Sequence, residues 1–140
     1  MVRIRLAKIE DCKNCSELSR IEELRPAGSD FISEEYFRGF VDEDEMFFVA
    51  EKEREIVGYI LGEPMKGNLA HLGLLTVNSN LRGRGIGKKL VEAFREKCDE
   101  KKLSYLLLYA PKFNENTLEF YRRCGFKEGK EHIQFLEERE

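Results

Sequence analysis

No apolar run in this chain approaches the roughly 20 residues needed to cross a bilayer. The opening MVRIRLAKIED also lacks the long hydrophobic stretch of a secretion signal. No membrane partner is expected, and the expected address is the cytoplasm. An excess of one charge is missing too, since 24 Lys and Arg stand against 27 Asp and Glu, a formal net charge of −3. That balance argues against a surface built as a whole for nucleic acid, and no basic-aromatic array takes its place. Cysteine is sparse, at Cys12, Cys15, Cys98 and Cys124, which fits reduced and mostly buried thiols. Only CKNC has a suggestive spacing. With no second pair and no nearby histidine, zinc or thioredoxin-like chemistry is outweighed by a core-facing helix pair at i, i+3. No internal repeat, low-complexity tract or linker divides the chain.

What is present is one domain's worth of sequence, 140 residues with 41% hydrophobic and 36% charged residues. That length can bury a core without metal or disulfide staples. VRIRL alternates apolar and charged residues and predicts a first strand. Asp11 is positioned to cap a helix with apolar positions Cys15, Leu18, Ile21 and Leu24, ended by Pro26 and Gly28. Ser33 starts a second short helix, with Glu34 and Glu35 in its first turn and Tyr36, Phe37 and Phe40 as its buried side. MFFVAEKEREIVGYILGE predicts a hairpin turning at KERE. NLAHLGLLTV predicts a strand whose phase slips: Leu72 and Leu74 fall on one face, Leu75 and Val77 on the other. Either both faces are buried or a bulge lies near Leu74 and Leu75.

Ile86, Leu90, Phe94 and Cys98, four apart, predict a helix from Gly85 to about Lys101. LSYLLLYA, uncharged, predicts a central strand closed by Pro111. NENTLEFYRRCGF predicts a helix ended by Gly125 at C′. HIQFLEE predicts a last strand whose exposed edge is open to a second copy of the chain, a homodimer. The order is β-α-α-β-β-β-α-β-α-β-β, a mixed α/β sandwich.

The joint between the fourth strand and the long helix concentrates the chemistry. The first N–H groups of a helix lack internal partners, and the macrodipole adds positive charge there. Glycines at 83, 85 and 87 let a guest approach the main chain and permit positive φ, while Arg82, Arg84, Lys88 and Lys89 add full charges. Phosphate is the best-fitting ligand, against the plainer reading of a glycine turn with solvated basic residues. A Walker loop is excluded because Lys89, not Ser or Thr, follows Lys88, and Arg82 stands at its first glycine. A dinucleotide fingerprint starting at Gly83 would need glycine at Lys88.

Arg82-Gly83-Arg84-Gly85-Ile86-Gly87 resembles the (Arg/Gln)-x-x-Gly-x-(Gly/Ala) motif of the GNAT superfamily of acetyl-CoA-dependent N-acetyltransferases. NENTLEFYRRCGF resembles that family's second segment, with Asn114, Tyr121, Gly125 and Phe126 in register and Thr117 where alanine is commoner. The resemblance covers essentially the whole chain. It implies a single N-acetyltransferase domain over 1–140, an α/β fold with a mixed, mostly antiparallel central sheet of six to seven strands and helices on both faces. It also implies acetyl-CoA as cosubstrate and an amine as acceptor. The coenzyme diphosphate would rest on the amides of Arg82, Gly83, Arg84, Gly85, Ile86, Gly87 and Lys88. A bulge would free the N–H and C=O of Leu75 and Val77 for the pantetheine arm, with the Val77 N–H near the oxyanion.

By the same resemblance Tyr121 is the general acid, its phenol protonated at neutral pH. Packing on the core is its structural alternative. Asn114 would bond the pantetheine or, equally well, cap its helix. Many relatives carry a glutamate on the fourth strand where this chain has Gly73, so the general base is open among His71, Glu63 and a water chain. The acceptor surface is expected over Leu24 to Phe40. Glu34, Glu35, Asp42, Glu43 and Asp44 either draw in a cationic amine or form a solvated face, the latter favoured. A non-catalytic acyl-CoA-binding regulatory module is the alternative function.

Overall fold

The computed structural model describes residues 1–20 and 32–139. The chain forms two compact units, Met1–Tyr109 and the segment from Ala110 onward. The first unit holds a sheet in the order β1 (Val2–Leu6), β2 (Phe47–Lys52), β3 (Glu55–Met65), β4 (Leu69–Val77) and β5 (Tyr105–Leu107). The first four strands run antiparallel to their neighbours and β5 runs parallel to β4. VRIRL pairs along its whole length with β2, from Val2 against Lys52 to Leu6 against Phe48. The β2–β3 hairpin turns on Glu53 and Arg54, with φ of 50° and 69°. A two-residue hairpin demands that left-handed backbone even without glycine or asparagine.

Side chains alternate along the strands, so each face of the sheet takes its own helices. On one face Phe47, Val49, Tyr59 and Leu61 pack with Cys12 and Cys15 of α1 (Cys12–Leu18) and Phe37 of α2 (Glu34–Arg38). Phe37 meets the Tyr59 ring edge-on at 5.1 Å between centroids. Cys12 and Cys15 are thus core residues. Burial pushes the Cys12 thiol up to about 11 and raises Cys15 as well, so neither is a thiolate at neutral pH. The opposite face carries α3 (Ile86–Glu100), whose Ile86, Leu90, Phe94 and Cys98 are buried as their period requires. Phe94 lies so close over β3 that a Cβ at Gly62 would strike its ring and the His71 carbonyl. Only glycine fits there.

Asp11 does not cap α1 with its side chain. Its carboxylate instead takes a bidentate pair from Arg5, at 2.8 and 3.0 Å, and the Lys8 N–H at 2.8 Å. Burial alone would raise its pKa; the Arg5 hydrogen bond and the Lys8 amide outweigh that and hold it below the ordinary carboxylate range. Ser33 does cap α2, accepting from the Tyr36 N–H at 3.2 Å. Of that helix's apolar side only Phe37 is fully buried, and Tyr36 is 47% exposed. Ile21, Leu24 and the first part of the expected acceptor surface, residues 24–31 of Leu24 to Phe40, lie outside the described residues.

The sheet has five strands, not six or seven. LSYLLLYA shrinks to the three residues of β5 at the sheet's edge, where Tyr105 is 68% exposed. An uncharged apolar run does not by itself tell a central strand from an edge. HIQFLEE forms no strand, and its Ile133, Phe135 and Leu136 are exposed. Alternation needs a partner edge to become a ladder, so the homodimer edge expected there has no strand to rest on. In the second unit, α4 (Glu115–Arg123) ends as its sequence predicts. Gly125, at φ 93°, donates to the Arg122 carbonyl at 2.9 Å, and the Phe126 N–H donates to Tyr121 O at 3.0 Å. That is a Schellman closure. Among the described residues no helix is long and apolar enough to cross a membrane.

Candidate active site

After Val77 the chain makes a short turn at Ser79–Leu81, braced by the Asn78 side chain accepting from the Asn80 N–H at 3.0 Å. Gly83 and Gly85 follow at φ 80° and 82°. Gly85 is the N-cap of α3, and a side chain there would be strained by its backbone rather than by crowding, since nothing lies within 4 Å of its Cβ position. The first α-helical bond runs from the Lys89 N–H to Gly85 O at 3.1 Å. The amides of Ile86, Gly87 and Lys88 precede it and have no partner inside the helix. Around them Arg82, Arg84, Lys88 and Lys89 are exposed, and no acidic residue occupies the first turn. The Arg82 Nε also donates to the Val77 carbonyl at 3.4 Å. The joint can hold an anion by main chain and by charge.

The phase slip in β4 is a bulge. Leu61 pairs with Leu74 and Gly62 with Leu72, which leaves Gly73 as the extra residue, one position before the expected place. Leu72 therefore joins Leu75 and Val77 on the α3 face, while Leu74 turns to the α1 and α2 face with Thr76. Beyond the bulge the Asn78 N–H donates to Val57 O at 2.7 Å. Gly58 and Val77 are thus a pair without mutual hydrogen bonds, and alternation turns the main-chain groups of Leu75 and Val77 away from β3. On that side β5 pairs with β4 only from Leu69 to His71. Among the described residues, Leu75 and Val77 have no strand partner there.

Before the bulge, the two residues weighed as bases stand directly opposite each other. Glu63 of β3 pairs with His71 of β4, so both side chains lie on the α1 and α2 face. The Tyr109 ring sits 6.0 Å from the His71 ring. Tyr36 borders the same place, its phenol pKa raised first by partial burial and then by the Glu63 charge. Sequence spacing gave no signal for this meeting of four distant residues, and it assigned Tyr36 to the core. Of the acidic group, Glu34 is tied to Arg38 at 2.6 Å, whereas Asp42 and Glu43 are exposed in a turn.

In the second unit Tyr121 is flanked by Phe120 at 5.2 Å and Phe126 at 5.6 Å, both edge-on. The Schellman turn that places Phe126 therefore also holds the Tyr121 ring. Burial, with a smaller contribution from Cys124, raises its phenol pKa well above the ordinary value, so it carries its proton at neutral pH. Asn114 caps α4, its amide oxygen accepting from the Thr117 N–H at 3.3 Å.

Residues 11–126 match the acetyltransferase (GNAT) family. The chain belongs to that family. A protein of Methanocaldococcus jannaschii described as an uncharacterised N-acetyltransferase is 30% identical over 100 residues, 66% of this chain and 44% of that protein. The chain spans about half the length of the curated relatives it matches. The crystal structure of a transcriptional regulator from Bacillus halodurans C-125 superposes with a TM-score of 0.79 at 26% identity, covering 97% of this chain and 99% of that one. AAC(6')-Iy, solved with the bisubstrate analogue CoA-S-monomethyl-acetylneamine, gives a TM-score of 0.79 over 99% of each chain. At 16% identity that likeness speaks for the GNAT fold alone.

Proposed function

We propose that this GNAT protein is an N-acetyltransferase that moves an acetyl group from acetyl-CoA to a primary amine, in the cytoplasm and without nucleic acid or membrane as partner. The observation that carries the reading is the pairing of an anion-holding joint at Gly83–Lys88 with a strand edge at Leu75 and Val77 that, among the described residues, no neighbouring strand covers and where only the Val77 carbonyl is engaged, by Arg82. A diphosphate fits the first and an extended amide-bearing arm fits the second, by added-strand hydrogen bonding. Coenzyme A carries both.

Bound acetyl-CoA supplies the acetyl group already activated as a thioester. The chain's own residues do the rest. Amides of Ile86, Gly87 and Lys88 hold the diphosphate, with Arg82, Gly83, Arg84 and Gly85 shaping the turn. The Val77 N–H donates to the carbonyl oxygen where negative charge develops. Tyr121 gives its proton to the departing sulfur, a role supported by its motif position; the phenol carries its proton at neutral pH, and the burial that raises its pKa makes it a weaker acid than a solvated phenol. Asn114 contributes through its amide while capping α4. His71, opposite Glu63, takes the proton from the incoming amine. The amine belongs to a small molecule or to a protein, at an N-terminus or a lysine.

Gly73 in place of a strand-four glutamate favours a second reading, a non-catalytic acyl-CoA-binding regulatory module. Thiol release from acetyl-CoA, measured over a panel of amines and peptides with wild-type protein and Tyr121→Phe, separates the two. The enzyme reading expects turnover with at least one amine and a fall of roughly a hundredfold or more in the variant with coenzyme affinity kept. Coenzyme binding with no thiol release on any amine would favour the binding module.

A further inference from the structure

The α3 face of the sheet is closed by Leu90 and Phe94, which lie against Gly58 and Gly62. The other face is covered by α1 and α2 as far as Leu61 and Leu74. Past those residues the β3–β4 pair continues through Glu63 and His71, next to the bulge at Gly73. Glu63 is exposed and forms no ion pair among the described residues. Neither β3 nor β4 contains a lysine or arginine. Tyr36 and Tyr109 border this end of the pair, 47% and 68% exposed. Tyr36 beside the Glu63 carboxylate, which has no ion-pair partner among the described residues, and Tyr109 beside the His71 ring across the ladder are the elements of an ammonium site, because ring quadrupole and carboxylate attract the same charge.

We propose that Tyr36, Glu63, His71 and Tyr109 form the acceptor subsite, and that it selects amines that arrive as alkylammonium ions. The inference rests on the acetyltransferase reading for its purpose, but not for its test. Glu63 pairs with the ammonium group, and the Tyr36 and Tyr109 rings line its apolar neighbours. His71, acting as the base, takes one N–H proton: the N–H electron pair stays on the amine nitrogen, which becomes a neutral nucleophile, and the proton passes to the imidazole nitrogen. A neutral polar acceptor such as a sugar hydroxyl can donate a hydrogen bond to Glu63 but brings no charge to offset the desolvation of the carboxylate.

The chain has only two histidines, His71 and His132, so the His71 ring protons are readily followed by NMR. The full chain is titrated with tetramethylammonium chloride, which cannot lose a proton, with tert-butanol as the neutral near-isostere and sodium chloride as the salt control. The expected result is a saturable shift of the His71 resonances with tetramethylammonium alone. Glu63→Gln should weaken it about tenfold and Tyr36→Leu severalfold, while Tyr36→Phe keeps it. Folding of each variant is read from the same spectra. Equal shifts with tert-butanol or sodium chloride, no saturable shift, or an unchanged affinity in Glu63→Gln would each overturn the subsite. Failure of coenzyme A to bind in a parallel calorimetric titration would instead overturn the acetyltransferase reading and leave the ammonium result standing.

Discussion

The two halves of β4 offer a guest different things. From Leu74 to Val77 the strand presents main-chain groups and runs into a loop whose glycines at 83 and 85 are set by φ. From Leu69 to Leu72 it presents a side chain, His71, against Glu63 across the ladder. Main-chain recognition suits the part of a substrate that every family member shares, because any residue supplies an N–H. Side-chain recognition suits the part that differs. Gly73 is the boundary between the halves, and the contrast explains why the family is so much easier to read from this chain than the acceptor.

The contrast breaks most readily at the loop. Gly85→Glu imposes a φ of about 80° on a side chain and adds a carboxylate where the proposed diphosphate would sit. Coenzyme A affinity measured by calorimetry should fall roughly a hundredfold, while Gly85→Ala, strained but uncharged, loses less. Equal losses in the two variants would assign the whole effect to backbone strain. The boundary is tested by Gly62→Ala. Its methyl group meets the His71 carbonyl and the Phe94 ring, so unfolding in denaturant should show a loss of about 1–3 kcal/mol. An unchanged midpoint would mean that the β3–β4 contact is looser than described.

A substitution remote from both halves, with no expected effect on binding, provides the control. Asp11 has a depressed pKa in the folded protein, so its contribution is complete above the free value of about 3.9 and is lost as pH falls through the lower folded value. Asp11→Asn should cost about 2 kcal/mol at neutral pH and flatten the fall of Tm below about pH 4. Coenzyme affinity should not change, and a parallel loss of binding would show that the β1–α1 corner communicates with the site.

Much of this was legible in the sequence where one local rule sufficed. The four-residue spacing from Ile86 to Cys98 marked α3, and glycines before a basic helix start marked the joint. Gly125 and Phe126 announced the end of α4. The bulge was expected but displaced by one residue, because Leu72 to Val77 allow the slip at several points and only pairing with Gly62 and Leu61 picks Gly73. HIQFLEE was misread because alternation describes a strand's faces without supplying its neighbour. The cluster of Tyr36, Glu63, His71 and Tyr109 had no local signature, since it is made by register across β3 and β4 and by the placement of α2.

Backbone amide shifts of the ¹⁵N-labelled chain, recorded with coenzyme A and with pantetheine lacking the diphosphate, test the central claim most directly. Coenzyme A is expected to shift the amides of Ile86, Gly87 and Lys88 together with those of Leu75 and Val77, and pantetheine to shift only the strand pair. Coenzyme A bound at saturation with the three loop amides unmoved would contradict it.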